Sequence, residues 1–307
     1  MSHRTKLLVI GGKGQLGWEL CRGGQKYGHE LIALDLPGFD ITDPSEVDEA
    51  LSKKGVSLVI NAAAYTAVDQ AESKQELAFS VNCKGPAYLA KACSKFGIPL
   101  IHVSTDYVFD GSKRTPYLET DPVSPACVYG ESKAAGEKAV RDALEAHIIL
   151  RTSWLYSTHG NNFVKTILRL ANEREELKVV ADQFGCPTYA WDLAVAILHI
   201  ADQMGRRGKT QWGTYHYCGQ GIITWHDFAV KICELAKRYV PVRVKEIEAI
   251  STTEYYTPAK RPPFSALDCS KIAKCFGIRI RPWQDSLEDM LECMFGIRYE
   301  KEGDTSA

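Results

Sequence analysis

The stretch Lys6-Leu-Leu-Val-Ile-Gly-Gly-Lys-Gly-Gln-Leu-Gly17 decides the fold of this chain. An apolar run leads directly into Gly11, Gly14 and Gly17, which are spaced three residues apart. Glycines let the backbone approach a pyrophosphate closely and let a helix pack tightly on a sheet, and the free amides at a helix N-terminus attract phosphate. The stretch therefore predicts a strand, a dinucleotide-binding loop and a helix over residues 15–27. A glycine turn without a ligand is the alternative.

Apolar runs and helical patterns alternate through the first half of the chain. Strand-like runs cover residues 6–10, 30–34, 58–60, 99–104 and 147–150. Helical patterns between them cover residues 15–27, 43–54, 71–95 (interrupted near Gly85-Pro86) and 132–146. Parallel strands need crossover connections, and these connections are right-handed in nearly all proteins. The pattern predicts an α/β fold with a Rossmann-type, doubly wound parallel sheet.

The alternation weakens after about residue 155. Helical patterns remain at 162–173, 224–239 and 284–295, and residues 257–263 form a proline-rich loop. We predict a dinucleotide-binding domain and a smaller C-terminal substrate-binding lobe. The first comprises residues 1–155 with parts of about 176–225, the second about 156–175 and 226–300, and residues 301–307 are a flexible tail.

Composition excludes several classes of protein. The 37 basic and 38 acidic side chains nearly balance, so no net field would draw the chain to nucleic acid or to an anionic membrane. No apolar run approaches the roughly 20 residues that span a bilayer, and the first residues lack the features of a signal peptide. These features predict a cytoplasmic protein. The ten cysteines form no CxxC pair, which favours buried thiols over metal or redox roles.

The second strand ends at an acid. Asp35 follows Gly17 by 18 residues, where a carboxylate accepts hydrogen bonds from the adenosine ribose hydroxyls. Such an acid repels a 2′-phosphate and favours NADH, whereas Lys13 nearby could offset that repulsion. Both NADPH and NADH therefore remain open.

Small residues follow the third strand and leave room for a cofactor, although a tight turn would need them as well. Asp40 could flank the adenine or act in a helix cap. Asn82 could connect to Lys133 through a relay or could brace a helix. The predicted cofactor-binding residues are Gly11, Gly14, Gln15, Leu16, Asp35, Asp40, Ile41, Asn61, Ala62, Ala63, Ala64, Asn82, Tyr129 and Lys133.

A phenol and an ammonium group lie four residues apart, at Tyr129 and Lys133, and so share one face of a helix. The ammonium should lower the pKa of the phenol, which lies near 10 in a free tyrosine. Thr105, at the end of the fourth strand, supplies a hydroxyl that can orient a carbonyl, with Ser104 as its neighbour. The three residues predict an acid-catalysed carbonyl reduction.

The glycine spacing resembles the extended branch of the short-chain dehydrogenase/reductase superfamily. Within it, residues 6–295 resemble the dTDP-4-dehydrorhamnose reductase family. The stretches that carry this resemblance are Gly14-Gln-Leu-Gly-Trp-Glu-Leu20, Asn61-Ala-Ala-Ala-Tyr-Thr-Ala-Val-Asp-Gln-Ala-Glu72, Ser104-Thr-Asp-Tyr-Val-Phe-Asp-Gly111, Arg151-Thr-Ser-Trp-Leu-Tyr156, Gly160-Asn-Asn-Phe163, Asp182-Gln-Phe-Gly-Cys-Pro-Thr188 and Arg261-Pro-Pro-Phe-Ser-Ala-Leu-Asp268.

The resemblance implies reduction of the C4 keto group of dTDP-4-dehydro-L-rhamnose to dTDP-L-rhamnose by NADPH or NADH, for cell-surface polysaccharide. It places the catalytic residues at Thr105, Tyr129 and Lys133. It implies substrate contacts at Val68, Thr105, Asp106, Tyr107, Trp154 and Arg261. Trp154 could instead fill the core, and Arg261 could be a solvated loop residue rather than a partner of the pyrophosphate.

Some members of this family form dimers through magnesium held by glutamates of both subunits. Glu19 matches one ligand position, but Trp191 stands where another glutamate is expected and Asp192 is shifted by one residue. We therefore predict no metal, and a homodimer remains possible.

Two other functions remain open from the sequence. One is a different nucleotide-sugar ketoreductase or an epimerase of the same fold. The other is a non-catalytic NADP-binding regulator, as in the regulatory subunit of methionine adenosyltransferase. A regulator has no need of Thr105, Tyr129 and Lys133 together, which argues against the second.

Overall fold

A computed structural model describes residues 5–24, 26–52, 55–206 and 210–296 of the chain. The predicted flexible tail, 301–307, lies outside these residues. Among the helices of the described ranges, none is both long enough and apolar enough to cross a membrane.

Six parallel strands form the central sheet, in the order β10-β5-β4-β3-β1-β2. Three further strand pairs, β6-β9, β7-β12 and β8-β11, lie outside it. The strands are β1 (Lys6–Ile10), β2 (Glu30–Leu34), β3 (Val56–Asn61), β4 (Leu100–Thr105), β5 (His147–Thr152), β6 (Leu155–Tyr156), β7 (Glu176–Val180), β8 (Phe184–Gly185), β9 (Thr188–Tyr189), β10 (Gly213–His216), β11 (Ile223–Thr224) and β12 (Glu246–Ile250).

Eleven helices accompany these strands in the described residues. They are α1 (Gln15–Gly24), α2 (Pro44–Ser52), α3 (Val68–Ala71), α4 (Gln75–Phe79), α5 (Gly85–Phe96), α6 (Val128–Ala143), α7 (Phe163–Glu173), α8 (Ala190–Arg206), α9 (Trp225–Ala236), α10 (Ser270–Phe276) and α11 (Trp283–Met294). A π-helical turn, Ser80–Lys84, separates α4 from α5 at the interruption that the sequence predicts near Gly85-Pro86. The parallel sheet with helices on both faces confirms the predicted Rossmann-type fold.

Alternating side chains of each central strand point to opposite faces of the sheet. Leu7 and Val9 of β1 belong to a buried cluster with residues of α1 and α8, whereas Leu8 and Ile10 belong to a second cluster with residues of α2, α5 and α6. All four side chains are almost fully buried. Burial on both faces explains why these strands read as continuous apolar runs.

The glycine loop requires glycine at two positions for reasons of shape. Gly11 has a φ of 86°, and a Cβ there would lie 2.6 Å from the amide nitrogen of Ala63. A Cβ on Gly17 would lie 2.1 Å from the carbonyl oxygen of Gly11, so only glycine lets α1 approach the loop this closely. Gly14 does not have a positive φ. A Cβ there would lie 3.4 Å from the carbonyl oxygen of Gly11, which is an ordinary contact.

The strand order reverses around β1. The chain runs from β1 to β2 on one side and then crosses to β3, β4 and β5 on the other. In open parallel sheets ligands bind beyond the carboxyl ends of the strands at this reversal, where adjacent loops diverge. The glycine loop after β1 lies at that point.

The C-terminal segments build a third apolar cluster beside the sheet. Side chains of α7, α9 and α11 pack together there with those of the parallel pair β7-β12, and Phe228, Leu287 and Met290 are almost fully buried. The predicted helices at 162–173, 224–239 and 284–295 correspond to α7, α9 and α11. The sequence reasoning missed two elements, α8 and β10. The strand β10 lies at one edge of the central sheet, and α8 packs against one face of that sheet.

Candidate active site

A cleft of about 700 Å³ opens at the carboxyl ends of β1, β3, β4 and β5. The glycine loop forms one end and the start of α6 lies near the other. The predicted site residues that line the cleft are Gly11, Gly14, Gln15, Leu16, Asp35, Asp40, Ile41, Ala62, Ala63, Ala64, Val68, Thr105, Asp106, Tyr107, Tyr129, Lys133 and Trp154.

Asp35 fixes the glycine loop in addition to lining the cleft. Its Oδ2 accepts a hydrogen bond of 2.8 Å from the backbone amide of Lys13, and its Oδ1 accepts one of 2.8 Å from Leu36. The Lys13 ammonium donates to the carbonyl of Leu36 at 2.5 Å. The acid and the lysine that bear on cofactor choice therefore lie together at the end of β2.

Asn61 and Asn82 do not line the cleft but hold its walls. Asn61, buried at the end of β3, bonds His102 at 3.0 Å and accepts from the amide of Ala63 at 3.1 Å. Asn82, on the π-helical turn, bonds both backbone polar groups of Tyr65 and donates to Ser132 of α6 at 3.0 Å. These contacts correspond to the bracing alternative for Asn82.

The structure brings Thr105, Tyr129 and Lys133 to one side of the cleft. Thr105 ends β4, where its hydroxyl accepts from the amide of Tyr107 at 3.1 Å and donates to Asp106 at 3.0 Å. Tyr129 and Lys133 lie in the first two turns of α6, and both are buried. Their i, i+4 spacing on a helix is therefore confirmed, and they face the end of β4.

The electrostatics of Tyr129 differ from the expectation. Burial raises the pKa of the phenol above its ordinary value, and a hydrogen bond with Thr105 opposes this only in part. The prediction that Lys133 lowers the pKa of Tyr129 is wrong for the protein without a bound cofactor, because desolvation of the phenolate is the larger effect. Tyr129 is consequently a neutral phenol, the form that can donate a proton.

The burial of Lys133 disfavours its charged form. Desolvation lowers its pKa to about 8, although the charge of Glu137 acts in the opposite direction. Its ammonium donates to the carbonyl of Val103 in β4 at 2.7 Å. This bond anchors the side chain against the strand that ends at Thr105.

A buried ion pair between α6 and β5 bonds the end of β4. Arg151 of β5 donates to both carboxylate oxygens of Glu137 in α6, at 2.8 and 2.7 Å, and the hydroxyl of Ser104 donates to Glu137 at 2.6 Å. Burial alone would raise the pKa of Glu137, but the bonds and charge of Arg151 hold it below its ordinary range. No pattern in the sequence indicates this pairing, since Glu137 and Arg151 lie on different elements.

Trp154 also lines the cleft. It has a φ of 45°, the one positive value among described residues other than glycine. Its ring stacks on Trp225 with centroids 3.4 Å apart, and a Cβ on Gly185 would lie 2.4 Å from it. The ring thus packs against a cluster and also lines the cleft, as a side chain in an unfavourable backbone conformation often does at a functional site.

Arg261 lies beside the cleft but is held by protein groups. Its guanidinium donates to the hydroxyl of Tyr107 at 2.9 Å and pairs with Asp69 at 2.7 Å. The ring of Tyr107 meets Tyr129 edge-on at 5.5 Å. Arg261 therefore connects the proline-rich loop to Tyr107, which packs on Tyr129 in the cleft.

Several lining residues were missed by the sequence reasoning. Thr152 ends β5, which runs two residues further than expected, and Ser153 follows it, whereas Asn161 and Asn162 precede α7. The stretch Gly160-Asn-Asn-Phe163 contributed to the family resemblance, and that was the available signal for the two asparagines.

Glu19 is engaged within the chain. Its buried carboxylate accepts from Arg22 at 2.9 Å and from Ser157 at 2.7 Å, and the Arg22 guanidinium lies 4.1 Å from the ring centre of Trp191. The described part of the chain contains no group of three or more His, Cys, Asp or Glu side chains that could hold a metal ion.

Comparison with known proteins gives a consistent result. The family model of the RmlD substrate binding domain matches residues 5–295. A dTDP-4-dehydrorhamnose reductase of Aggregatibacter actinomycetemcomitans is 45% identical over 288 residues, which cover 93% of this chain and 98% of the relative.

Two solved structures also match over nearly their full length. A crystal structure of a dTDP-4-dehydrorhamnose reductase from Clostridium acetobutylicum has a TM-score of 0.88 and 38% identity, covering 94% of this chain and 99% of the other. The Bacillus anthracis enzyme of the same name, solved in complex with NADP, has a TM-score of 0.86 and 36% identity, covering 94% and 98%. The chain therefore belongs to the RmlD family, that of the dTDP-4-dehydrorhamnose reductases.

Proposed function

We propose that this protein reduces the C4 keto group of dTDP-4-dehydro-L-rhamnose with NADPH or NADH and releases dTDP-L-rhamnose for cell-surface polysaccharide. The observation that carries the proposal is the meeting of Thr105, Tyr129 and Lys133 in the cleft that begins at the glycine loop. The family of the chain and the NADP bound to its Bacillus anthracis relative support the same reaction.

The residues of the cleft fit a nicotinamide dinucleotide. Gly14 carries no side chain at the loop, and Asp35 directly follows β2, where an adenosine ribose would lie. The N-terminus of α1 offers free amide groups to a pyrophosphate. A bound reduced nicotinamide supplies the hydride of the reaction.

The protein residues supply the proton and the geometry. Tyr129, kept neutral by burial, donates its proton to the carbonyl oxygen as negative charge develops there. Thr105 lies within hydrogen-bonding reach of Tyr129 and orients the same oxygen. Lys133, which lines the cleft with Tyr129, holds the nicotinamide ribose, and the ring of Trp154 packs against the sugar.

The test compares the wild type with Tyr129→Phe, using freshly generated dTDP-4-dehydro-L-rhamnose and either cofactor. We expect cofactor oxidation by the wild type and a loss of kcat of about 10²-fold or more in the variant, because removing a general acid typically costs that much. Product is identified by mass and NMR, and binding of the cofactor to the variant shows that its cleft is intact.

No turnover by a wild type that binds cofactor would sink the rhamnose assignment and favour another keto sugar or a regulatory role. Equal turnover by Tyr129→Phe would remove Tyr129 from the mechanism while leaving the reaction in place.

A further inference from the structure

Residues 157–162, which join β6 to α7, lie against the glycine loop and the first turns of α1. They are distant from both in sequence, yet they bond the loop or α1 at three separate positions, Lys13, Gln15 and Glu19. Asn161 and Asn162 also line the cleft. The phosphate end of the cofactor site therefore has a second wall, built from the later part of the chain.

The first contact is made by His159. Its Nε2 donates to the carbonyl oxygen of Lys13 at 2.9 Å, and its ring stacks on Trp18 with centroids 5.1 Å apart and planes only 4° from parallel. The amide of Lys13 donates to Asp35 at 2.8 Å. The backbone of one loop residue is thus held at its amide by the acid that ends β2 and at its carbonyl by the imidazole.

The second and third contacts fix the position of the imidazole. Asn162 donates to the side-chain oxygen of Gln15 at 3.1 Å and caps α7 by accepting from the amide of Lys165 at 3.1 Å. The hydroxyl of Ser157 accepts from the amide of His159 at 3.0 Å and donates to the buried carboxylate of Glu19 at 2.7 Å. His159 is therefore placed by bonds on both sides of it.

We propose that His159 is a positioning residue of the cofactor site, which holds the carbonyl of Lys13 and thereby sets the orientation of the phosphate-binding loop. The Lys13 carbonyl lies immediately before Gly14, whose peptide leads into α1. Fixing that carbonyl fixes the direction of the following amides, which a pyrophosphate must meet. The inference rests on the proposed use of a nicotinamide cofactor and is independent of the sugar.

The experiment separates the hydrogen bond from the stacking. His159→Phe keeps a ring to stack on Trp18 but loses the donor, whereas His159→Gln keeps a donor without the ring. Dissociation constants for NADPH and NADH are measured on the free enzyme by nicotinamide fluorescence, with kcat and both KM values alongside. We expect His159→Phe to raise the cofactor dissociation constants and cofactor KM about fivefold, the usual worth of one hydrogen bond. His159→Gln should stay within twofold of the wild type, and kcat at saturating cofactor should be unchanged.

His199→Phe is the control, because the Nε2 of His199 also lies within hydrogen-bonding distance of a backbone carbonyl, that of Phe276 at 3.0 Å, and His199 does not line this cleft. It should leave cofactor binding within twofold, and a urea transition for each variant shows that it is folded. His159→Ala, which lacks both features, should bind at least as weakly as His159→Phe and replaces it if that variant does not fold.

Three results would overturn the proposal. One is cofactor binding by His159→Phe or His159→Ala equal to that of the wild type. The second is an equal loss in His199→Phe, which would indicate a general effect on stability. The third is a wild type that binds neither cofactor, which would remove the proposed function as well. Binding of cofactor without turnover of the keto sugar would leave the role of His159 standing and contradict only the sugar assignment.

Discussion

At the residue scale, Lys133 is a buried charge in the proposed active site that lowers the stability of the fold at neutral pH. It is buried in α6, and desolvation lowers its pKa from 10.5 to about 8. A lysine that binds its proton less tightly in the folded than in the unfolded chain disfavours folding below the folded pKa. Because the folded chain releases that proton first, this cost should diminish as the pH rises from about 8 towards 10.5.

We therefore expect Lys133→Met to raise the free energy of unfolding at pH 7 by about 1–2 kcal/mol while it removes activity. The shift in the pKa of Lys133 alone would predict a larger gain in stability. The substitution also leaves the carbonyl of Val103 without its hydrogen-bond donor, which offsets part of that gain. Urea denaturation measures the change, and the gain should shrink at high pH. Lys138→Met is the control, since Lys138 lies on the same helix with 72% of its side chain exposed and should change stability by less than about 0.5 kcal/mol. A destabilised Lys133→Met would show that the ammonium contributes net stability.

At the scale of elements, the close approach of α1 to the glycine loop is the contact that forms the proposed phosphate site. A Cβ on Gly17 would lie 2.1 Å from the carbonyl oxygen of Gly11, so Gly17→Ala must push α1 away from the loop. We expect a loss of about 2–3 kcal/mol in the free energy of unfolding, the range of overpacking in a tight site, and weaker cofactor binding. Denaturant unfolding and cofactor titration measure the two effects.

Gly38→Ala provides the comparison, because the nearest atom to a Cβ on Gly38 is 3.8 Å away. It should leave the free energy of unfolding nearly unchanged. If Gly17→Ala were equally harmless, the loop and helix would have room to separate, and the argument for tight packing would fail.

The elements that the sequence predicted well are those whose signals are local. The strand Lys6–Ile10 and its glycine loop carry their pattern in consecutive residues. In contrast, α6 begins at Val128, earlier than the expected residue 132, because its first amide bonds the side chain of Glu72 at 2.9 Å. That partner lies 56 residues away in sequence. The helix α8 was missed because apolar residues surround much of it and blur the helical period.

The candidate site likewise contains residues that local spacing predicts and residues that it does not. Tyr129 and Lys133 could be predicted from their spacing, since one helix sets their relation. The support of Ser104 by Glu137 and Arg151, and the wall formed by Asn161 and Asn162, depend on how distant elements meet. No spacing in the sequence encodes such contacts.

At the scale of the whole molecule, segments from the later part of the chain contact residues at both ends of the cleft. Residues 157–162 meet the glycine loop, and the proline-rich loop meets α3 through the pair of Arg261 and Asp69. Only about a quarter of the Arg261 side chain is exposed. The cofactor end and the catalytic end therefore each depend on a contact between the two parts of the chain.

The second of these contacts can be tested by a double-mutant cycle. Because Arg261 bonds both Asp69 and the hydroxyl of Tyr107, we expect Arg261→Gln to displace Tyr107 and raise the KM of the sugar nucleotide about tenfold, with the cofactor KM unchanged. Asp69→Asn, which weakens the same pair, should raise the sugar KM about threefold. The double variant should then resemble Arg261→Gln alone, because residues that act through one contact are not additive. Additive effects, or a normal KM in Asp69→Asn, would instead indicate that Arg261 acts directly on the substrate, as an arginine that pairs with the pyrophosphate would.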